Sequence, residues 1–178
     1  MVWAAIPTTN KPNERSLRVG ILSDTHLTRG SDRGPLLKLA ATHFSQVDAI
    51  LHAGDVGDLD WLTAVAFPDI PFYAVEGNCD EPDADPRMPV RRIVELGPWR
   101  IGLAHGWGAP HTLVDRLAPL FADVHAVVFG HSHTPHLEKR NKVIYFNPGS
   151  LMLPRNGPPS AGLLTIGERE LVFSHITL

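Results

Sequence analysis

Cysteine is nearly absent: Cys79 stands alone among 178 residues. One thiol forms no internal disulfide, so the fold needs no oxidising compartment, and a thiolate metal cluster is excluded. Long apolar runs are missing too. None approaches the ~20 residues that span a bilayer. The opening Met1-Val2-Trp3-Ala4-Ala5-Ile6-Pro7 has no basic stretch before its short apolar segment, which makes it a poor secretory leader. These absences predict a cytoplasmic protein with no membrane partner. Basic clusters are lacking as well: the net charge is −3, and no Lys/Arg stripe marks a nucleic-acid-binding surface.

What is present is an ordinary globular balance, 43% hydrophobic and 20% charged. The length suits one domain with a substantial core. Residues 1–16, polar and containing Pro and Asn, predict a loosely ordered extension, and 17–178 a single domain. No repeat or low-complexity segment interrupts it. Strands are expected over Leu17–Ser23, Ala49–Ala53 and Phe72–Val75, with helices over Pro35–Phe44 and Asp58–Phe67, the second capped by Asp58. Val90–Glu95 and Trp99–Ala104 flank Leu96-Gly97-Pro98, a hairpin signal. A helix over Thr112–Phe121 and strands over Ala126–Phe129, Val143–Phe146, Gly162–Ile166 and Leu171–His175 follow, the last two joined through Gly167–Glu170. The first half reads βαβαβ and the second is richer in antiparallel β. This predicts an α/β fold in which two sheets pack together with helices outside.

Polar motifs recur where the strands end. Ser23-Asp24-Thr25-His26 follows the first strand, Gly54-Asp55 the second and Gly77-Asn78 the third. His105-Gly106 and Gly130-His131-Ser132-His133 follow two later ones. Loops at the carboxyl ends of strands converge on one crevice in α/β sheets. Residues two apart in a strand share a face, so Asp24 with His26, and His131 with His133, can each reach one ion; Gly130 lets the backbone approach closely. Taken singly, Asp24 and Asp55 could cap helices, Asn78 could serve a turn, and His105 could be a satisfied strand-end histidine. Their registration at successive strand ends favours one site.

Two carboxylates, four imidazoles and an amide oxygen exceed the four ligands usual for a single zinc ion. They suit two divalent ions sharing a bridging carboxylate. Mixed N/O donors suit manganese, iron, zinc, cobalt or nickel, and manganese is the ion expected. Two ions can clamp an in-line phosphoryl displacement, generate a hydroxide nucleophile near neutral pH and neutralise the phosphate. Nucleic acid therefore remains open as a substrate, because metal can supply the positive charge.

The order Asp-x-His, Gly-Asp, Gly-Asn, His, Gly-His-x-His over about Val19–Ser150 resembles the calcineurin-like metallophosphoesterase superfamily. Leu51-His52-Ala53-Gly54-Asp55, Gly77-Asn78-Cys79-Asp80 and Asn147-Pro148-Gly149-Ser150 resemble its small single-domain bacterial and archaeal phosphodiesterase branch. The resemblance implies a four-layer β-sandwich flanked by helices, with metals at its rim. It implies a first ion on Asp24, His26 and His133, a second on Asn78, His105 and His131, and Asp55 bridging. Asp55, Asn78 and His105 would carry catalysis, and Asn78 would also hold substrate phosphate. Many superfamily members have histidine after the Gly-Asn pair to protonate the leaving group; here Cys79 stands there, as is common in the small branch, and a small buried apolar residue is its simplest reading. Activated aryl diesters should then react better than alkyl phosphates.

His52, Cys79 and Asp80 are candidates for a supporting shell, and Trp107 and Arg155 for the walls of a substrate pocket; His111, His125, His136 and His175 read as uninvolved. Two other readings compete. The small branch also resembles a eukaryotic trafficking-coat scaffold subunit that binds partners on this fold, although such a scaffold should have eroded ligands. A mononuclear iron oxygenase with two His and one carboxylate leaves Asp55, Asn78 and two histidines unexplained. The strand-rich second half could also supply a homo-oligomer edge.

Overall fold

A computed structural model describes residues 16–83 and 85–178. Apart from Ser16, the extension expected over 1–16 lies outside the described residues.

The chain forms two five-stranded mixed sheets, and its last two strands return to the sheet that its first three begin. The first has the order β10-β9-β1-β2-β3 and the second β4-β5-β6-β8-β7. In the first, β1 (Leu17–Leu22), β2 (Ala49–His52) and β3 (Phe72–Ala74) run parallel, β9 (Ser160–Ile166) pairs antiparallel with β1, and β10 (Leu171–Thr177) pairs antiparallel with β9. In the second, β5 (Trp99–Ala104), β6 (Ala126–Val128) and β8 (Val143–Pro148) run parallel, edged by β4 (Arg91–Leu96) and β7 (Pro135–Arg140). Each sheet thus carries a parallel trio whose carboxyl ends lie side by side.

The core is layered because alternate residues on a strand face opposite sides. Val19, Ile21 and Leu51 meet Leu103, Val128 and Phe146 between the sheets. Leu22 and Ile50 turn the other way, onto Leu36, Leu39 and Phe44 of α1 (Gly34–Ala41) and its tail, and Leu62. On the far face, Val127 and Tyr145 pack on Leu113 and Leu117 of α3 (Leu113–Leu117). This is the expected two-sheet sandwich flanked by helices, in four layers. Strands buried on both faces read as continuous apolar runs, which is why β1, β2 and β6 stood out.

Three elements differ from expectation. The helix expected over Asp58–Phe67 is capped by Asp58, whose Oδ1 accepts from Trp61 N at 3.0 Å. Its body is a short α2 (Leu59–Trp61) running into a π-helical turn, Leu62–Ala66, closed by Phe67 N donating to Leu62 O. The helix expected over Thr112–Phe121 is broken into 3₁₀ turns around α3; Pro119 has no N–H to continue it. β7 was not anticipated. Its sequence Pro-His-Leu-Glu-Lys-Arg has one apolar residue, because an edge strand with exposed faces needs no alternation. Asn141 and Lys142, with φ of 49° and 72°, form the tight turn that returns it to β8.

Candidate metal centre

The polar loops meet along the rim made by the two parallel trios. The loops after β1 and β2 are zipped together: Asp24 N donates to Gly54 O, His26 N to Asp55 O and Leu27 N to Val56 O, at 2.9–3.1 Å. Both lie beyond the strands proper. Asp24, His26, Asp55, His131 and His133 all have positive φ, between 44° and 69°. The expectation that Asp24 and His26, or His131 and His133, share a strand face is therefore corrected: left-handed backbone separated by one residue aims each pair. Asp and His tolerate that region better than most residues, at about 1 kcal/mol or more each, and the interloop hydrogen bonds hold it. Gly130 is required by contact, since a Cβ there would stand 1.9 Å from Ser23 Oγ and 2.8 Å from Asp24 Oδ2.

All seven residues singled out from the sequence come together. Asp55 Oδ2 lies 3.4 Å from His26 Nε2 and equally 3.4 Å from His105 Nε2. On one side of it, His133 Nε2 is 3.2 Å from Asp24 Oδ1 and 3.4 Å from His26 Nε2. On the other, Asn78 Oδ1 is 3.2 Å from His105 Nε2 and 2.9 Å from His131 Nδ1. One donor atom from each of Asp24, His26, Asp55 and His133 falls within 4.8 Å of the others, a set able to hold a metal ion.

The hydrogen bonding shows why a cation fits. Three imidazoles each give one ring nitrogen to a backbone carbonyl: His105 Nδ1 to Ala53 O (2.8 Å), His131 Nε2 to Gly108 O (3.1 Å) and His133 Nδ1 to Leu153 O (2.6 Å). These bonds assign the tautomers and turn the remaining lone pairs inward, the arrangement typical of ligating histidines. Inside, imidazole lone pairs face carboxylate and amide oxygens with no proton between them. Only bound protons or cations relieve that. Burial raises the proton affinity of Asp24, against the pull of His105 and the Ser23 hydroxyl. Burial also acts upward on Asp55, but His105 and the Cys79 amide outweigh it and hold the carboxyl well below the usual range. For His105, burial acts downward and the carboxylates of Asp55 and Asp24 outweigh it, so the ring binds a proton more readily than a free histidine. His131 is lowered by burial and by neighbouring His105.

A supporting layer aims these groups. Asp80 accepts from Val56 N, Gly57 N and Gly77 N at 2.8–3.1 Å, binding the Asp55 loop to the Asn78 loop. His52 is fully buried; Thr25 Oγ1 donates to Val56 O, so His52 Nε2–H donates to Thr25 Oγ1 at 2.9 Å and braces the turn between Asp24 and His26. Cys79 departs from expectation: it is exposed rather than a buried apolar filler, because its backbone N–H is drawn to Asp55 Oδ1 (2.8 Å) at the open rim.

Sequence reasoning assigned no role to Ser23, Asn147 and Ser150. Ser23 Oγ donates to Asp24 Oδ2 at 2.6 Å and Ser150 Oγ to Asp24 O at 2.8 Å. Asn147, fully buried, donates through Nδ2 to Gly130 O and Ser132 Oγ, and its Oδ1 accepts from Gly149 N. The polar ending of an otherwise apolar β8 was the available signal. His175, read as uninvolved, donates from Nε2 to Asn147 O at 2.8 Å. Trp107 lines a cavity of about 560 Å³ together with Asn78 and His105; Arg155 lines a separate one of about 370 Å³ beside Ser132. Among the described residues, no helix is long and apolar enough to cross a membrane.

Known proteins share this sequence pattern and fold. Residues 17–169 match the calcineurin-like phosphoesterase superfamily domain. A probable metallophosphoesterase of Methanothermobacter thermautotrophicus is 32% identical over 155 residues, covering 86% of this chain and 88% of its own. The phosphodiesterase YfcE of Escherichia coli K12 is 34% identical over 100 residues, 51% of this chain and 50% of its own. The structure of Vacuolar Protein Sorting 29 from Cryptosporidium parvum superposes with a TM-score of 0.67 at 21% identity, covering 93% of this chain and 100% of its own, a likeness of fold.

Proposed function

The chain belongs to the calcineurin-like phosphoesterase superfamily, and from that premise we propose that it is a phosphodiesterase working with two divalent metal ions, manganese foremost, within a single domain over 17–178. The observation that carries this reading is the position of Asp55 Oδ2, 3.4 Å from imidazoles on either side, where one carboxylate can serve two ions. Asp24, His26 and His133 would complete one set and Asn78, His105 and His131 the other. Bound there, the ions would neutralise phosphate charge and lower the proton affinity of water near neutral pH.

The chain's own residues do the rest. The carbonyls of Ala53, Gly108 and Leu153 fix three rings with lone pairs inward. Asp80 keeps Asp55 and Asn78 in one frame. Asn78 lines the open cavity, where its side-chain amide can meet a phosphoryl oxygen. At the rim beside Asp55 the Cys79 thiol is available for leaving-group protonation; its pKa is raised by burial and by Asp55, so it keeps its proton at neutral pH.

A scaffold on the same fold is the second reading, favoured by the likeness to Vacuolar Protein Sorting 29; a full set of seven converging donors weighs against it. The deciding experiment is hydrolysis of bis(p-nitrophenyl) phosphate by metal-stripped protein before and after manganese is added, with metal counted per chain. Turnover that appears only with metal, at about two ions per chain, supports the diesterase. Silence with no metal uptake favours the scaffold.

A further inference from the structure

The cavity of about 560 Å³ beside the candidate centre is large for a p-nitrophenyl group and of a size that takes a small-molecule ligand. It is lined by Asn78 and His105 of the candidate centre together with Val90, Arg91, Trp107 and Leu120. Trp107 is 45% exposed and Val90 65% exposed, so both present apolar surface to whatever enters the cavity. Trp107 is also tethered: the next residue's carbonyl, Gly108 O, receives His131 Nε2–H at 3.1 Å, so the ring's loop is fixed to the centre.

Arg91 differs from nearby arginines. Arg87 pairs with Asp85 and Asp60, Arg92 donates to Ala74 O and Arg87 O, and Arg100 donates to Asp123 O. The Arg91 guanidinium makes no hydrogen bond or ion pair among the described residues, and it lines the cavity. The acid in the same lining, Glu76, is turned to its own loop, its Oε2 accepting from Asp83 N at 3.1 Å. A wall therefore offers an aromatic face, apolar neighbours and an unanswered planar cation, the group suited to bidentate capture of phosphate or carboxylate.

Resting on the diesterase reading, we propose that this cavity receives one arm of the diester and selects an arm bearing an aromatic ring and a second anionic group, in chemical class a nucleoside phosphate. The ring lies against Trp107, as bases stack on aromatic side chains, and the remote anion meets Arg91.

The test is calorimetric binding to the manganese-loaded protein of thymidine 5′-monophosphate and thymidine 3′,5′-bisphosphate, repeated on R91Q and W107L. The bisphosphate should bind about fivefold or more tighter than the monophosphate, and that advantage should collapse in R91Q. In W107L both ligands should weaken by about fivefold or more, the loss of one stacked base. Equal affinities in the unaltered protein, or an advantage that survives R91Q, would overturn the proposal. Turnover of bis(p-nitrophenyl) phosphate on the same preparations separates the two ideas. Turnover without the preference sinks the subsite alone; the preference without turnover sinks the diesterase reading and leaves the subsite standing.

Discussion

Asn78 Oδ1 lies 2.9 Å from His131 Nδ1, and neither atom has a proton to give, because the His131 ring spends its N–H on Gly108 O. The same deadlock recurs between His133 Nε2 and Asp24 Oδ1. The fold has assembled acceptors against acceptors, which is stable only with cations or extra protons between them.

Metal uptake should therefore release protons. In the metal-free protein His105 holds a proton more firmly than a free histidine because Asp55 and Asp24 outweigh its burial. A cation must displace that proton, so affinity should rise with pH through the range where His105 deprotonates. Titration calorimetry of manganese in buffers of differing ionisation enthalpy should report about one proton or more per chain. Uptake with no proton release and no pH dependence would contradict this ring arrangement.

Asp55→Ala removes the oxygen shared by His26 and His105 and the acceptor of Cys79 N. Turnover should fall by about 10³-fold or more, since metal charge stabilisation contributes several kcal/mol to the transition state. The layered core does not involve Asp55, so the far-ultraviolet dichroism should persist. A mutant keeping most activity would rule out a shared carboxylate.

Asn147→Ala tests the supporting layer at a distance from any donor atom. It leaves Gly130 O, Ser132 Oγ and Gly149 N without their buried partner. About 1–3 kcal/mol of stability should be lost, and metal affinity should drop by about 10- to 100-fold, as for other residues that orient ligands. Denaturant unfolding of the metal-free protein and a metal titration read the two effects separately.

Much of this was legible because buried parallel strands announce themselves as apolar runs and the polar residues that end them stand out. Asp24, His26, Asp55, Asn78, His105, His131 and His133 were all singled out that way, and the fold brings them together. The reason given for the aim of Asp24 with His26 and of His131 with His133 was wrong, since it assumed strand geometry where the backbone is left-handed; spacing alone does not report φ. β7 was invisible because an exposed edge strand carries no hydrophobic period. Asn147 and Ser150 were seen as a motif but given no role, because their work is hydrogen bonding to backbone contributed by distant loops.

His52 predicts a pH dependence of stability. Its ring is fully buried and Nδ1 has no hydrogen-bond partner among the described residues, and burial lowers its pKa to about 3. The unfolded chain, with an ordinary histidine pKa near 6.5, binds the proton first. Stability is therefore retained above that value and lost as pH falls from about 6.5 toward 3. Between neutrality and pH 5 the loss should be about 2 kcal/mol from this residue. Comparing metal-free unaltered protein with His52→Gln isolates it: the variant, which has no ring to protonate, should show a shallower decline. Parallel curves would mean that the buried ring charges without penalty.

Cys79 sets the last expectation, about leaving groups. The thiol sits at the open rim beside Asp55, raised in pKa by burial and by that carboxylate, so it keeps its proton but parts with it reluctantly. Aryl diesters, whose leaving groups need no proton, should turn over readily, whereas alkyl diesters should lag. Cys79→His places a group of pKa near 6.5 at the same point. It should raise alkyl turnover by up to about 10²-fold and leave aryl turnover nearly unchanged, because general acid catalysis acts only where the departing oxygen is basic. The aryl-to-alkyl ratio of kcat/KM in the two proteins is the measurement. If the ratio is already near unity in the unaltered protein, protonation comes from another donor and Cys79 is a bystander; if it falls only in the variant, the missing acid lies at position 79.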